Sequence, residues 1–156
     1  MTTTVADAGA PAPSPDATDE RRASIAVVDD DSGFAGYLRT FLGIRGYEAR
    51  SYTRGDEIVA AIRQGDPPDI VLLDVAMPGM SGYDVCRSLR QDPRTQDTPV
   101  IFLTAKGLLM DMAEGEDAGS DLYLIKPVLA TKLLNMVAMF LSDDSPLAKR
   151  RRTPKA

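Results

Sequence analysis

Four short apolar runs constrain this chain more than any other feature: Ile25 to Val28, Ile70 to Leu73, Val100 to Leu103 and Leu122 to Ile125. Each is rich in Ile, Val and Leu and lacks polar alternation, which is how strands buried on both faces of a parallel sheet read. A fifth run, Tyr47 to Tyr52, alternates polar and apolar residues and suits a sheet edge. The stretches between carry helical spacing. Tyr37, Leu38, Phe41 and Leu42 form one stripe after the caps Asp31 and Ser32, with Gly46 as a stop. Ile58, Val59 and Ile62 form a second, closed by Gly65 and Pro67-Pro68; Val85, Cys86 and Leu89 form a third. Leu108 to Ala118 is a fourth helical segment, and Leu133, Leu134, Val137, Ala138 and Leu141 mark the last. Five strands alternating with five helices predict right-handed crossovers and a doubly wound α/β sandwich.

A chain of 156 residues suits one domain, and 44% hydrophobic with 26% charged residues suits a packed, water-soluble one. No apolar run approaches the roughly 20 residues of a membrane span, and the acidic N-terminus lacks the apolar segment of a secretion signal. The expectation is a cytoplasmic protein. Residues 1–22, with Pro11, Pro13 and Pro15 alternating, offer almost nothing to bury and are expected to be a disordered tail. Residues 143–156 form a basic tail, in which Lys149, Arg150, Arg151, Arg152 and Lys155 concentrate positive charge. The net charge of −5 therefore hides a more acidic middle, so nucleic-acid binding is expected only weakly and only through that tail. One cysteine, Cys86, and no histidine exclude an internal disulfide, the usual zinc sites and His-dependent triads. Chemistry here must run on carboxylates, hydroxyls and lysines.

The residues that follow the strands supply them. Asp29, Asp30 and Asp31 follow the first, Asp74 the third, Thr104 the fourth, and Lys126 the fifth. Ligands of an open parallel α/β sheet bind outside the carboxyl ends of its strands, so these residues converge on one edge. Taken singly, an Asp after a strand is a helix cap, Thr104 another cap and Lys126 a solvated side chain; their common place in strand order favours a site. Carboxylates gathered in a crevice repel unless a cation intervenes, and oxygen-only donors suit Mg²⁺. Lys126 and Thr104 could hold phosphoryl oxygens beside that metal, and a central carboxylate, Asp74 above all, could be the nucleophile that forms an aspartyl phosphate.

VVDDD at 27–31, IVLLDVAMPGMSG at 70–82, FLTA at 102–105 and YLIKP at 123–127 resemble the receiver domain of bacterial response regulators, the phosphorylated components of two-component systems. The resemblance covers residues 23–142 and presents the family's motifs in order. It implies a flavodoxin-like sheet of strand order 2-1-3-4-5, with Asp74 as phosphoacceptor. Asp30 would bind Mg²⁺ directly and Asp29 mainly through water, with the Ala76 backbone carbonyl as a further ligand. Thr104 and Tyr123 would be the switch pair, and Lys126 the phosphoryl-contacting lysine, before a proline whose peptide bond is commonly cis in the family. Ala76 and Lys106 depart from the family's usual residues beside the path of the hydrolytic water, which bears on the lifetime of the phosphoryl group. Glu116 replaces a usual apolar residue.

The resemblance implies a stand-alone switch, not an enzyme acting on other molecules. Its partners would be a histidine kinase or phosphotransfer protein and a downstream protein at the face of the fourth helix, fifth strand and fifth helix. There Leu108, Leu109, Met110 and Met112 read equally as core or as partner surface. Two alternatives remain open: a haloacid-dehalogenase-like phosphatase with Asp29 as nucleophile, or a docking pseudo-receiver that is never phosphorylated. A flavodoxin-like cofactor binder is disfavoured, because an acidic first loop repels a flavin phosphate.

Overall fold

Three of the four apolar runs are fully buried strands. A computed structural model describes residues 22–105 and 109–142 of the chain, with the backbone alone for residues 109–112. All but one residue of the expected tail 1–22, the tail 143–156, Lys106, Leu108 and the side chains of Leu109, Met110 and Met112 lie outside the described residues. The order of elements is β1 (Ser24–Val28), α1 (Ser32–Ile44), β2 (Glu48–Tyr52), α2 (Gly55–Gln64), β3 (Ile70–Leu73), α3 (Gly82–Gln91), β4 (Val100–Thr104), α4 (Leu109–Ala118), β5 (Leu122–Ile125) and α5 (Ala130–Leu141). The strands form one parallel sheet in the order β2-β1-β3-β4-β5, as expected.

Strand residues point alternately to the two faces. Ala26, Val28, Val71, Leu73 and Phe102 pack toward Ile58, Val85 and Leu89, while Ile25, Val27, Ile70, Leu72 and Ile101 pack toward Leu38, Leu42, Leu133 and Val137. Both faces are covered, so β1, β3 and β4 need no polar residue. Each such Val, Leu, Ile or Phe side chain contributes about 1.5–3 kcal/mol of burial.

The last apolar run departs from expectation. Leu122–Ile125 is not buried on both faces: Leu122, Tyr123 and Leu124 are half-buried and Ile125 is 48% exposed. With β5 at the end of the sheet, it has one strand neighbour and one open edge. β2 is the other edge, as its alternation predicted.

Helix faces also needed correction. In α1 the buried residues are Ala35, Leu38 and Leu42, whereas Tyr37 points outward, 55% exposed. In α5 Leu133 and Val137 are buried but Ala138 is exposed, with Leu134 and Leu141 half-buried. Asp31 is the N-cap of α1, its Oδ1 accepting from the Phe34 N–H at 3.1 Å, and Gly46 lies just past the helix end with φ of 99°. The Lys126-Pro127 peptide is cis.

Candidate functional site

Parallel register places the strand ends level with one another. Val28 pairs with Leu73 and Leu73 with Phe102, so Asp29 and Asp74 lie side by side just past their strands, with Thr104 on the neighbouring one. Backbone bonds continue that alignment: the Asp29 N–H donates to the Tyr52 carbonyl at 3.0 Å and the Asp74 N–H to the Val28 carbonyl at 2.9 Å. Lys126 is fixed similarly, its N–H donating to the Thr104 carbonyl at 2.8 Å.

One carboxylate oxygen each from Asp29, Asp30 and Asp74 fall within 4.8 Å of one another. Asp29 and Asp74 are buried and Asp30 is exposed, so the cluster opens to solvent on one side. Asp29 is already engaged: its Oδ2 accepts from Lys126 Nζ at 2.6 Å and its Oδ1 from the Asp31 N–H at 2.9 Å. The Lys126 ammonium also lies over the Phe34 ring, 4.5 Å from its centroid. Burial, with the charges of Asp29 and Asp30, pushes the Asp74 carboxyl up to about 6 against the pull of Lys126. A divalent cation would relieve that repulsion, and three carboxylates with no thiolate or imidazole nearby form a donor set that fits Mg²⁺.

The other expected residues are distributed around this cluster. Ala76 is exposed on the loop after β3, and Thr104 is buried at the end of β4. Tyr123 stands opposite Phe102 in the β4–β5 register, their ring centroids 6.0 Å apart, on the sheet face that also bears Thr104. Gly115 in α4 leaves that ring its space, because a Cβ there would come within 3.2 Å of Tyr123 Cδ2. Glu116 is exposed.

The loop after β3 is held by features the sequence shows only in part. Gly79 takes φ of 77°, as a turn glycine should. Gly82 is needed for close approach: a Cβ there would fall on the Asp74 carbonyl and 2.9 Å from Val75 Cα, so α3 can start against the loop after β3 only without a side chain. Ser81 and Asp84 then close a reciprocal capping box at the start of α3. Phe34 and the bridging part of Asp31 were not singled out in the sequence. An S-x-x-D spacing signals the cap, but nothing in linear order signals an aromatic ring over Lys126.

The fold is thus a doubly wound parallel α/β domain with an acidic cluster and a lysine at the carboxyl edge of its sheet. Residues 25–138 match the response regulator receiver domain family, and the chain belongs to it. It is 40% identical over 123 residues to the phosphate regulon transcriptional regulatory protein PhoB of Rhizobium meliloti, covering 78% of this chain and 53% of that protein. It is 38% identical over 130 residues to the DNA-binding response regulator MtrA of Mycobacterium tuberculosis, covering 82% of this chain and 55% of the relative. The chain thus spans about half the length of these curated relatives. Among solved structures, the chemotaxis protein CheY4 of Vibrio cholerae superimposes with a TM-score of 0.73 at 26% identity, covering 78% of this chain and all of that one. The response regulator DrrB, a Thermotoga maritima OmpR/PhoB homologue, gives 0.69 at 30% identity over 80% of this chain and 55% of that one.

Proposed function

We propose that this receiver, residues 23–142, takes a phosphoryl group onto Asp74 from a histidine kinase or phosphotransfer protein and thereby alters its protein-binding surface. The observation that supports this most is the division of labour among the carboxylates. Both oxygens of buried Asp29 are committed, one to Lys126 and one to the Asp31 N–H, while Asp74 brings a carboxylate oxygen within 4.8 Å of one from each of the acidic pair. The engaged Asp29 makes a poor nucleophile, which weighs against the phosphatase alternative. An intact acidic cluster and lysine weigh against the docking pseudo-receiver.

Above pH 6 the Asp74 carboxylate is mainly ionised and able to attack phosphorus. An Oδ–P bond forms as the donor's N–P bond breaks, and the donor imidazole leaves with the electron pair. Asp30, Asp74 and the Ala76 carbonyl would hold Mg²⁺, with Asp29 mainly through water; the cation supplies counter-charge to the phosphoryl oxygens when bound. Lys126 adds a second positive charge from the β5 side, and the Thr104 hydroxyl can donate to a phosphoryl oxygen. Drawing that hydroxyl toward Asp74 leaves space that the Tyr123 ring can enter. In this reading the chain's bond chemistry is confined to Asp74, which makes it a switch and not an enzyme with a separate substrate.

The output reading keeps the fourth helix, fifth strand and fifth helix. Ile125 at 48% and Leu129 at 74% exposure give β5 and the entry to α5 an apolar surface, and neither was read as partner surface in the sequence. No helix among the described residues is long and apolar enough to cross a membrane. PhoB and MtrA are named as a transcriptional regulatory and a DNA-binding protein, whereas the acidic charge of this chain supports only weak nucleic-acid contact through residues 143–156.

Reductive trapping tests the acceptor. Borohydride reduces an acyl phosphate to an alcohol, and peptide mapping after phosphorylation by a small phosphodonor with Mg²⁺ should find the reduced residue at position 74. Reduction at position 29 would instead establish the phosphatase reading.

A further inference from the structure

We propose that the ring of Phe34 is a positioning residue for Lys126, holding its ammonium beside the acidic cluster before a phosphoryl group arrives. The inference rests on the reading of Asp74 as phosphoacceptor, but its observations are separate. Lys126 Nζ lies 2.6 Å from Asp29 Oδ2 and over the face of the Phe34 ring, 4.5 Å from its centroid. A carboxylate alone fixes a distance, and a lysine of four methylenes can meet that distance from many directions. The ring face supplies the second constraint, attracting the ammonium through its quadrupole and excluding water from one side.

The ring is itself anchored by the residues it serves. Phe34 lies in the first turn of α1, and its N–H donates to Asp31 Oδ1 at 3.1 Å. The Asp31 N–H in turn donates to Asp29 Oδ1 at 2.9 Å. Asp31 therefore ties together both groups that hold the lysine, Asp29 through its backbone and Phe34 through its side chain. The start of α1 and the end of β5 are linked through this cation, and the lysine is ordered in advance of the reaction it assists.

Two measurements on the full chain test this. In wild type and Phe34→Tyr, the Lys126 side-chain methylene protons should show an upfield ring-current shift that Phe34→Leu abolishes. The saturating rate of phosphorylation by acetyl phosphate with Mg²⁺ should fall about 2- to 10-fold in Phe34→Leu and recover in Phe34→Tyr, with little change in half-saturation. In a Lys126→Met background, Phe34→Leu should have no further effect. An equal fold-loss with and without Lys126, or a loss that Tyr does not restore, would overturn the proposal. So would wild-type methylene shifts at ordinary values. Ring-current shifts present in a wild type that takes no phosphoryl group would instead count against Asp74 as acceptor, leaving the contact itself standing.

Discussion

Asp29 and Asp74 are both buried carboxylates, yet their surroundings send them to different tasks. Asp29 has a lysine and a backbone N–H to hold its charge, while Asp74 carries a charge that burial and two neighbouring carboxylates oppose. That opposition has a consequence for stability. The Asp74 carboxyl is raised from 3.8 to about 6, so between those values the folded chain binds more protons than the unfolded chain. Stability contributed by this residue is present at low pH and lost as pH rises through 6. In chelator-treated protein, Asp74→Asn should therefore melt higher than wild type at pH 7.5 by about 2–8 °C, allowing for solvent screening of the site. The gap should close near pH 4, as followed by calorimetry. A variant less stable than wild type at pH 7.5 would show that Asp74 is not held under charge repulsion.

Elements carry the site by where they end. Arg90, in α3, holds the opposite edge of the sheet: its guanidinium donates to the carbonyls of Thr98 at 2.6 Å and Gly119 at 2.9 Å and pairs with Asp121 at 3.0 Å. Asp121 also accepts from the Val100 N–H at 2.9 Å, so one side chain fixes the entries to β4 and β5 together. Lysine cannot reproduce that fork, and Arg90→Lys should cost about 1–3 kcal/mol in urea unfolding while leaving the proposed reaction at Asp74 intact. An unchanged urea midpoint would contradict this. The central strands could be read from sequence because burial on two faces removes alternation, and the site could be read because parallel topology sends residues 29, 74, 104 and 126 to one edge. β5 was misjudged because an apolar run looks the same at the centre and at the edge of a sheet. Tyr37 and Ala138 were misplaced because a few apolar residues per helix do not fix which side of the stripe faces inward. Phe34 escaped because a cation over a ring depends on chain segments far apart in sequence.

At the scale of the whole molecule, a small chemical event must reach a surface. Thr104 and Tyr123 lie on adjacent strands with the tyrosine ring against Phe102, and β5 leads directly to the exposed Ile125 and Leu129. Coupling in such switches is typically about 1–3 kcal/mol, or about 5- to 150-fold in partner affinity. Amide hydrogen exchange should therefore change on phosphorylation along β5 and the first turn of α5, with little change at Thr98, Val100 and Gly119 around the Arg90 clamp. A change spread evenly over the chain would argue against a directed switch. The functional reading depends on Asp74 accepting the phosphoryl group, and intact-mass spectrometry after incubation with acetyl phosphate and Mg²⁺ tests that most directly. The wild type should gain one labile adduct of about 80 Da and Asp74→Asn none, whereas equal labelling of the two proteins would contradict it.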